Sequence, residues 1–130
     1  MLALGTSAPD FQLLEPRSGE YLSLDACADA AALVVVFMCN HCPYVQHISH
    51  ELARLGRDLA ELGVAMVGIN SNDVERYPQD NAEAMVEQAH VLGYDFPYLL
   101  DVTQHVAKAY SAACTPDFYV FDGDRKLVYR

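Results

Sequence analysis

The chain has 130 residues, of which 52% are hydrophobic and 20% are charged. This length and apolar content predict one domain with a substantial core, and they exclude collagen-like, low-complexity and intrinsically disordered proteins. Eighteen acidic residues against 8 basic ones give a formal net charge of −10. Because such a surface repels phosphate backbones, we expect no nucleic-acid partner.

The sequence also indicates a cellular compartment. The longest apolar run, residues 30–39, is far shorter than a bilayer span, and the opening MLALGTSAPD lacks the basic start of a signal peptide. We therefore expect a cytoplasmic protein with no membrane partner. Stable disulfides are rare in that compartment, and four cysteines are too few to form a disulfide scaffold in a chain this long.

The first elements along the chain are a hairpin and a buried strand. Apolar residues at 11–13 and 21–24 flank the turn-forming segment 16–19 (PRSG), a pattern typical of a short β-hairpin. Residues 31–38 (AALVVVFM) are apolar without alternation. That pattern predicts a strand buried on both faces.

A helix and a second strand follow. Apolar residues recur at spacings of three and four at Val45, Ile48, Leu52, Leu55, Leu59 and Leu62. This spacing predicts one face of a helix, which Gly63 ends. Residues 64–70 (VAMVGIN) predict a second buried strand, so that the segment forms a right-handed strand–helix–strand crossover. We interpret the polar residues after it, at 70–72, as turn formers.

The second half of the chain alternates helices and strands. It predicts a helix at 79–92, an extended segment at 96–100, a helix at 103–113, and strands at 117–121 and 126–129. Asp122-Gly123-Asp124 is a typical hairpin turn between the last two strands. Strands that alternate with helices and end in an antiparallel hairpin predict a mixed α/β sheet.

Cys39 and Cys42 form a C-x-x-C pair where the first buried strand meets the long helix. A helix N-terminus offers free N–H groups and a partial positive charge, which stabilise a thiolate. Pro43 suits the first helical position, and His41 can add positive charge beside Cys39. We therefore predict a redox pair in which Cys39 is the nucleophile with a lowered pKa. Cys42 is the thiol that resolves a mixed disulfide.

Two other interpretations of the pair remain open. The cysteines together with His47 and His50 offer the four ligands of a zinc site, but all four lie within twelve residues at one helix start, whereas zinc fingers usually draw ligands from separate elements. The cysteines could also be inert and buried. We favour redox chemistry without a metal or other cofactor, and we expect both histidines on the helix surface.

Three segments carry a family resemblance: residues 5–13 (GTSAPDFQL), 37–44 (FMCNHCPY) and 115–118 (TPDF). In this order they resemble the redoxin branch of the thioredoxin superfamily, which includes alkyl hydroperoxide reductase/thiol-specific antioxidant and TlpA-type proteins. The resemblance covers essentially the whole chain. It implies an α/β thioredoxin-like three-layer fold, with a mixed central sheet, an N-terminal hairpin and an inserted helix at 79–92.

The resemblance also implies an activity. It indicates a thiol–disulfide oxidoreductase that acts on protein or small-molecule disulfides, with an electron donor that the sequence does not name. Thr115 and a cis Pro116 would face the C-x-x-C pair and align an extended substrate. Cys114 would lie nearby, and we favour a buried structural side chain there over a third redox thiol.

The chain departs from the family pattern at two buried positions. Met38 replaces a tryptophan, and Leu33 replaces the buried acid that thioredoxin carries six residues before its first cysteine. The second replacement predicts less efficient proton transfer. A thiol peroxidase is the main rival activity; its reacting cysteine would be Cys42, and Cys39 would stand where that class has threonine. A metal-carrying module is a weaker rival.

The C-terminal hairpin would leave one face of the sheet uncovered. Thioredoxin-like domains continue into a final helix, and the sequence shows none after the last strand. An aromatic sheet face is seldom left open on a monomer. We therefore expect either that the 130 residues are a piece of a longer protein or that a homodimer covers this face.

Overall fold

The computed structural model describes residues 2–130, and its centre is a mixed sheet of seven strands. The strands are β1 (Gln12–Glu15), β2 (Glu20–Ser23), β3 (Ala32–Phe37), β4 (Val64–Asn70), β5 (Tyr98–Leu100), β6 (Asp117–Phe121) and β7 (Leu127–Tyr129). The helices are α1 (Pro43–Glu61), α2 (Ala82–Leu92) and α3 (His105–Ala109). The predicted α/β class and the order of its elements are confirmed.

The sheet has the strand order β2-β1-β5-β4-β3-β6-β7. β4 pairs in parallel with β3 and β5, so β3, α1 and β4 form the predicted crossover unit. The remaining pairs, including the N-terminal and C-terminal hairpins, are antiparallel. The long helix α1 therefore starts at the carboxyl end of a central strand, where sites collect in open α/β sheets.

β3 is buried on both faces, as its uninterrupted apolar sequence predicts. Its alternate side chains enter two different clusters. Val34 and Val36 pack with α1 and α2 on one face, and Leu33 and Phe37 pack with α3 and the N-terminal segment on the other. This arrangement gives the three layers that the family resemblance implies.

The helix α1 has the predicted apolar face. Val45 and Leu52 are buried in the core, and Ile48, Leu55 and Leu59 pack against it. Leu62 lies just beyond the helix and is 72% exposed. Gly63, with φ of +73°, ends the segment in the left-handed conformation that suits glycine. Within residues 2–130, none of the helices has both the length and the apolar character needed to cross a membrane.

Two predicted helices are shorter than the sequence indicates. Residues Pro78–Asp80 form a separate 3₁₀ turn, and Asn81 caps α2 by accepting the backbone N–H of Ala84 at 2.8 Å. The helix α3 is flanked by Gln104 and Ser111, both of which have positive φ. Left-handed residues interrupt the helical geometry, and apolar spacing alone does not reveal them.

The C-terminal hairpin differs from its prediction in one respect. Alternation along the predicted strand 126–129 would put Leu127 and Tyr129 on one side, but Leu127 is 1% exposed and Tyr129 is 62% exposed. A register shift between Val120 and Phe121 accompanies this difference, as a β-bulge turns following side chains. Dimerisation through this face stays a prediction.

Candidate active site

A cleft of about 630 Å³ lies at the carboxyl end of β3 and the N-terminus of α1. Both cysteines of the C-x-x-C pair line it, together with His41, Tyr77 and Thr115. The structure thus brings together the predicted thiols, the histidine between them and the threonine before Pro116. The sheet supplies this geometry, because β6 begins next to the end of β3.

Cys42 is the N-cap residue of α1 and is partly exposed. Its Sγ donates a hydrogen bond of 3.4 Å to the Thr115 carbonyl. Burial raises the pKa of this thiol, but hydrogen bonds with the Thr115 side chain and from the backbone N–H groups of Val45 and Tyr44 lower it by more. The net pKa of Cys42 is therefore below the ordinary value, as expected at a helix N-terminus.

Cys39 lies inside the protein, with 1% of its surface exposed. Burial raises the pKa of its thiol, and the charge of Asp80 raises it further. A hydrogen bond with Thr115, whose Oγ1 is 3.7 Å from Cys39 Sγ, offsets only part of this effect. The predicted lowering of the Cys39 pKa is therefore wrong: the helix N-terminus acts on Cys42, and burial dominates at Cys39.

Both thiols are free. Each also contacts Thr115, one through the side chain and the other through the carbonyl. The Thr115–Pro116 peptide bond is cis, as the family resemblance implies. The substrate-aligning role of these two residues stays a prediction.

His41 is held against a buried carboxylate. The imidazole Nδ1 bonds to Asp80 Oδ2, and the ring stacks on Tyr77 with centroids 4.5 Å apart. Asp80 is fully buried, and its Oδ1 accepts the backbone N–H groups of Asn40 at 2.6 Å and His41 at 3.1 Å. The segment before α2 is therefore bonded directly to the C-x-x-C loop.

Asp80 and two asparagines are site residues that the sequence reasoning missed. Asn72 Nδ2 donates to Asp80 Oδ2 at 2.9 Å, and Asn70 Nδ2 donates to the Asp80 carbonyl at 2.8 Å. The asparagines do form a turn, because Asn70 Oδ1 accepts the Asn72 backbone N–H, but they also hold Asp80. The only sequence signal at Asp80 is its place before a helix, where an acid resembles an ordinary cap.

Asn40, between the cysteines, is tied to the core on its other side. Its Oδ1 accepts a hydrogen bond of 2.9 Å from the Tyr98 hydroxyl, and its Nδ2 donates to the Gln79 carbonyl at 2.8 Å. Tyr98 is almost completely buried in the strand next to β4. The C-x-x-C loop is therefore held from two directions.

The two histidines of the alternative zinc site do not lie beside the cysteines. His47 and His50 lie on the exposed side of α1. The atoms that do cluster, within 4.8 Å of one another, are Cys39 Sγ, a ring nitrogen of His41 and a carboxylate oxygen of Asp80. Both Asp80 oxygens already accept N–H donors, so hydrogen bonding accounts for this cluster.

Cys114 lies on the rim of the same cleft and is exposed. The expectation that it is a buried structural side chain is wrong, because the loop before Thr115 runs along the surface. Its predicted proximity to the C-x-x-C pair is confirmed, because Cys39, Cys42 and Cys114 line the same cleft.

The fold and this arrangement define a thioredoxin-like protein, with two thiols at the start of the helix that follows a central strand. The chain belongs to the AhpC/TSA family, whose model matches residues 4–130. No curated protein sequence matches the chain.

Solved structures support the same assignment. The chain is similar to an uncharacterized conserved protein from Geobacillus kaustophilus, with 55% identity and a TM-score of 0.97 over 100% of this chain and 69% of that one. The thioredoxin domain of a thiol-disulfide oxidoreductase from Bacteroides vulgatus has 17% identity and a TM-score of 0.81, with coverage of 98% and 87%. Peroxidoxin BcpB from Mycobacterium tuberculosis has 21% identity and a TM-score of 0.76, with coverage of 98% and 83%. The last two similarities establish a shared fold.

Proposed function

We propose that the chain is a thiol–disulfide oxidoreductase in which Cys42 is the attacking thiol and Cys39 is the resolving thiol. The observation that carries this proposal is the asymmetry of the pair. Cys42 is partly exposed with a lowered pKa, and Cys39 is buried with a raised pKa. The thiolate is the nucleophile in disulfide exchange, so the more acidic and accessible thiol attacks first.

The exchange balances in two steps. The Cys42 thiolate attacks a substrate disulfide R–S–S–R′, a Cys42–S–S–R bond forms, and R′S⁻ leaves and takes up a proton. Cys39 then attacks the Cys42 sulfur, a Cys39–Cys42 disulfide forms, and RS⁻ leaves as the second thiol. The chain loses two electrons and the substrate gains two. A dithiol donor reverses these steps and restores the reduced pair.

The roles of the two cysteines are the reverse of those expected from the sequence. Sequence position favours the first cysteine of a C-x-x-C pair because it commonly begins the helix. Here α1 begins one residue after Cys42, so the second cysteine receives the hydrogen bonds of the helix N-terminus. Thr115 and Pro116 remain the proposed substrate-aligning residues, because Thr115 borders both sulfurs.

Insulin reduction with dithiothreitol as electron source tests the proposal. Cys42→Ser is expected to reduce turnover to the uncatalysed rate. Cys39→Ser is expected to stop after the first step, with a mixed disulfide at Cys42 that intact-mass measurement detects. Cys27→Ser, which changes a cysteine outside the cleft, is the matched control and keeps the wild-type rate. Full activity in Cys42→Ser would contradict the proposal.

A thiol peroxidase is the second candidate, and one observation favours it. The thiol with the lowered pKa is Cys42, which is the position expected to react in that class. Against it, a cysteine rather than a threonine stands three residues earlier, and it can act as a resolving thiol. Consumption of hydrogen peroxide far above that of Cys42→Ser, together with weak insulin reduction, would favour the peroxidase.

A further inference from the structure

We infer that the buried Asp80–His41 pair is the proton acceptor that activates Cys39 for the resolving step, with His41 as the base and Asp80 as its positioning residue. This inference rests on the proposed thiol–disulfide function and adds the group that moves the proton. It also assigns a role to the segment between β4 and α2, which carries Asp80.

The chemistry of Cys39 creates a need for such a group. Burial raises the pKa of this thiol, so it stays protonated at neutral pH. A protonated thiol is a poor nucleophile, and the resolving attack therefore requires a base nearby. The position expected to hold a buried acid is occupied by Leu33, which is fully buried on the opposite face of the sheet from α1.

The structure places a different base, His41, near Cys39. Cys39 Sγ, a ring nitrogen of His41 and a carboxylate oxygen of Asp80 lie within 4.8 Å of one another. Because a carboxylate only accepts hydrogen bonds, the bond between Nδ1 and Asp80 Oδ2 puts the ring proton of neutral His41 on Nδ1. The lone pair of Nε2 is then free to accept a proton.

The groups around the His41 ring are compatible with its role as a base. Asp80 is the buried charge in contact with the ring, and the Tyr77 ring is stacked on it. Arg76 lies with its guanidinium 5.7 Å from the Tyr77 ring centroid. Cys39 is a further titratable neighbour, and Cys42, Tyr44, Lys108 and Cys114 line the same cleft. The side chain of His41 is 28% exposed, so it can exchange protons with the cleft.

The step follows from these positions. Cys39 gives its proton to His41, directly or through one water, and its thiolate attacks the Cys42 sulfur of the Cys42–S–S–R intermediate. The Cys39–Cys42 bond forms as the Cys42–S bond to R breaks. The departing RS⁻ takes the proton back from His41, so the histidine ends neutral and the pair is ready for another turnover.

Single-turnover reaction with 5,5′-dithiobis(2-nitrobenzoate) separates the two steps. The reduced protein carries Cys27→Ser and Cys114→Ser, so that only the site thiols react. The first thionitrobenzoate is released by attack of Cys42, and the second by attack of Cys39. Asp80→Asn and His41→Gln are compared in this background with the surface substitutions Asp58→Asn and His47→Gln.

We expect Asp80→Asn and His41→Gln to slow the second release about 100-fold at pH 7, the lower end of the usual range for a general-base contribution. The first release is expected to stay within a few-fold of the control. The deficit in the second release is expected to shrink as the pH rises above the Cys39 pKa, because the thiolate then forms without a base. A purely structural defect would persist at high pH.

The outcomes separate this inference from the proposed function. A normal second release in both variants at pH 7 overturns the proton-acceptor role and leaves the oxidoreductase proposal intact. Absence of any second release in the unsubstituted site overturns the proposed function itself. If Asp80→Asn fails to fold, His41→Gln decides the result, because it leaves both backbone N–H bonds to Asp80 in place.

Discussion

The backbone N–H of Asn40 donates a hydrogen bond of 2.6 Å to the carboxylate of Asp80, forty residues later in the chain. This bond joins the loop between the two cysteines to the segment before α2. A fully buried carboxylate is costly to hold unless N–H donors surround it, and here the donors come from the redox loop. The inserted segment is therefore part of the site, and changes in it are expected to alter thiol chemistry.

The two thiols are predicted to react at different pH values. Cys42 has a lowered pKa and Cys39 a raised one, and only the thiolate is alkylated quickly. We expect the iodoacetamide midpoint of Cys42 to lie below that of an unperturbed cysteine and that of Cys39 to lie above it. Peptide mass spectrometry at each pH reads both positions. In denaturant the two midpoints should converge, and a lower midpoint at Cys39 in the folded protein would refute the assignment.

Thr115→Val is predicted to raise the pKa of both thiols. The hydrogen bonds of Thr115 lower both values, and valine keeps the shape while removing the hydroxyl. The alkylation midpoint of Cys39 should move further upward, because its contact is with Oγ1. The alkylation midpoint of Cys42 should also move upward, because a hydrogen bond with the Thr115 side chain lowers its pKa as well. Thr103→Val, at a threonine outside the cleft, serves as the control, and equal midpoints in both variants would count against the prediction.

The strands and α1 can be predicted from sequence because their signals are local. The apolar run of β3 and the three-and-four spacing in α1 each reflect burial of one continuous segment. The location of the C-x-x-C pair follows from those elements. The pKa values of the two thiols cannot be predicted in this way, because they depend on which sulfur the helix N–H groups reach. The partnership between Asp80 and His41 is also hidden, since it joins residues that only the folded chain brings together.

Tyr98→Phe is predicted to destabilise the protein. The Tyr98 hydroxyl is buried and donates to Asn40 Oδ1 at 2.9 Å, so its removal leaves a buried acceptor without this donor. Such losses cost about 1–3 kcal/mol. Urea unfolding should show this decrease, with Tyr21→Phe, at a side chain that is 64% exposed, as the unaffected control. An unchanged midpoint in Tyr98→Phe would show that the bond contributes little.

Gly56→Ala in α1 is predicted to destabilise the protein although it should favour the helix. In a helix interior, alanine is more favourable than glycine by about 1 kcal/mol. A Cβ at Gly56, however, would lie 2.7 Å from Cδ2 of Phe96. Phe96 is 4% exposed and packs on Tyr94 with ring centroids 4.8 Å apart. The buried ring must shift to admit the added Cβ, and overpacking typically costs about 1–3 kcal/mol.

A double-mutant cycle separates these two effects on the free energy of unfolding. In the wild-type background we expect Gly56→Ala to lower the urea midpoint. In a Phe96→Leu background, which removes the ring from the contact, the same substitution should become neutral or stabilising as helix propensity dominates. The coupling energy between the two positions is then the cost of the close contact. An increase in stability of about 1 kcal/mol on Gly56→Ala in the wild-type background would mean that the ring yields freely, and it would contradict the prediction.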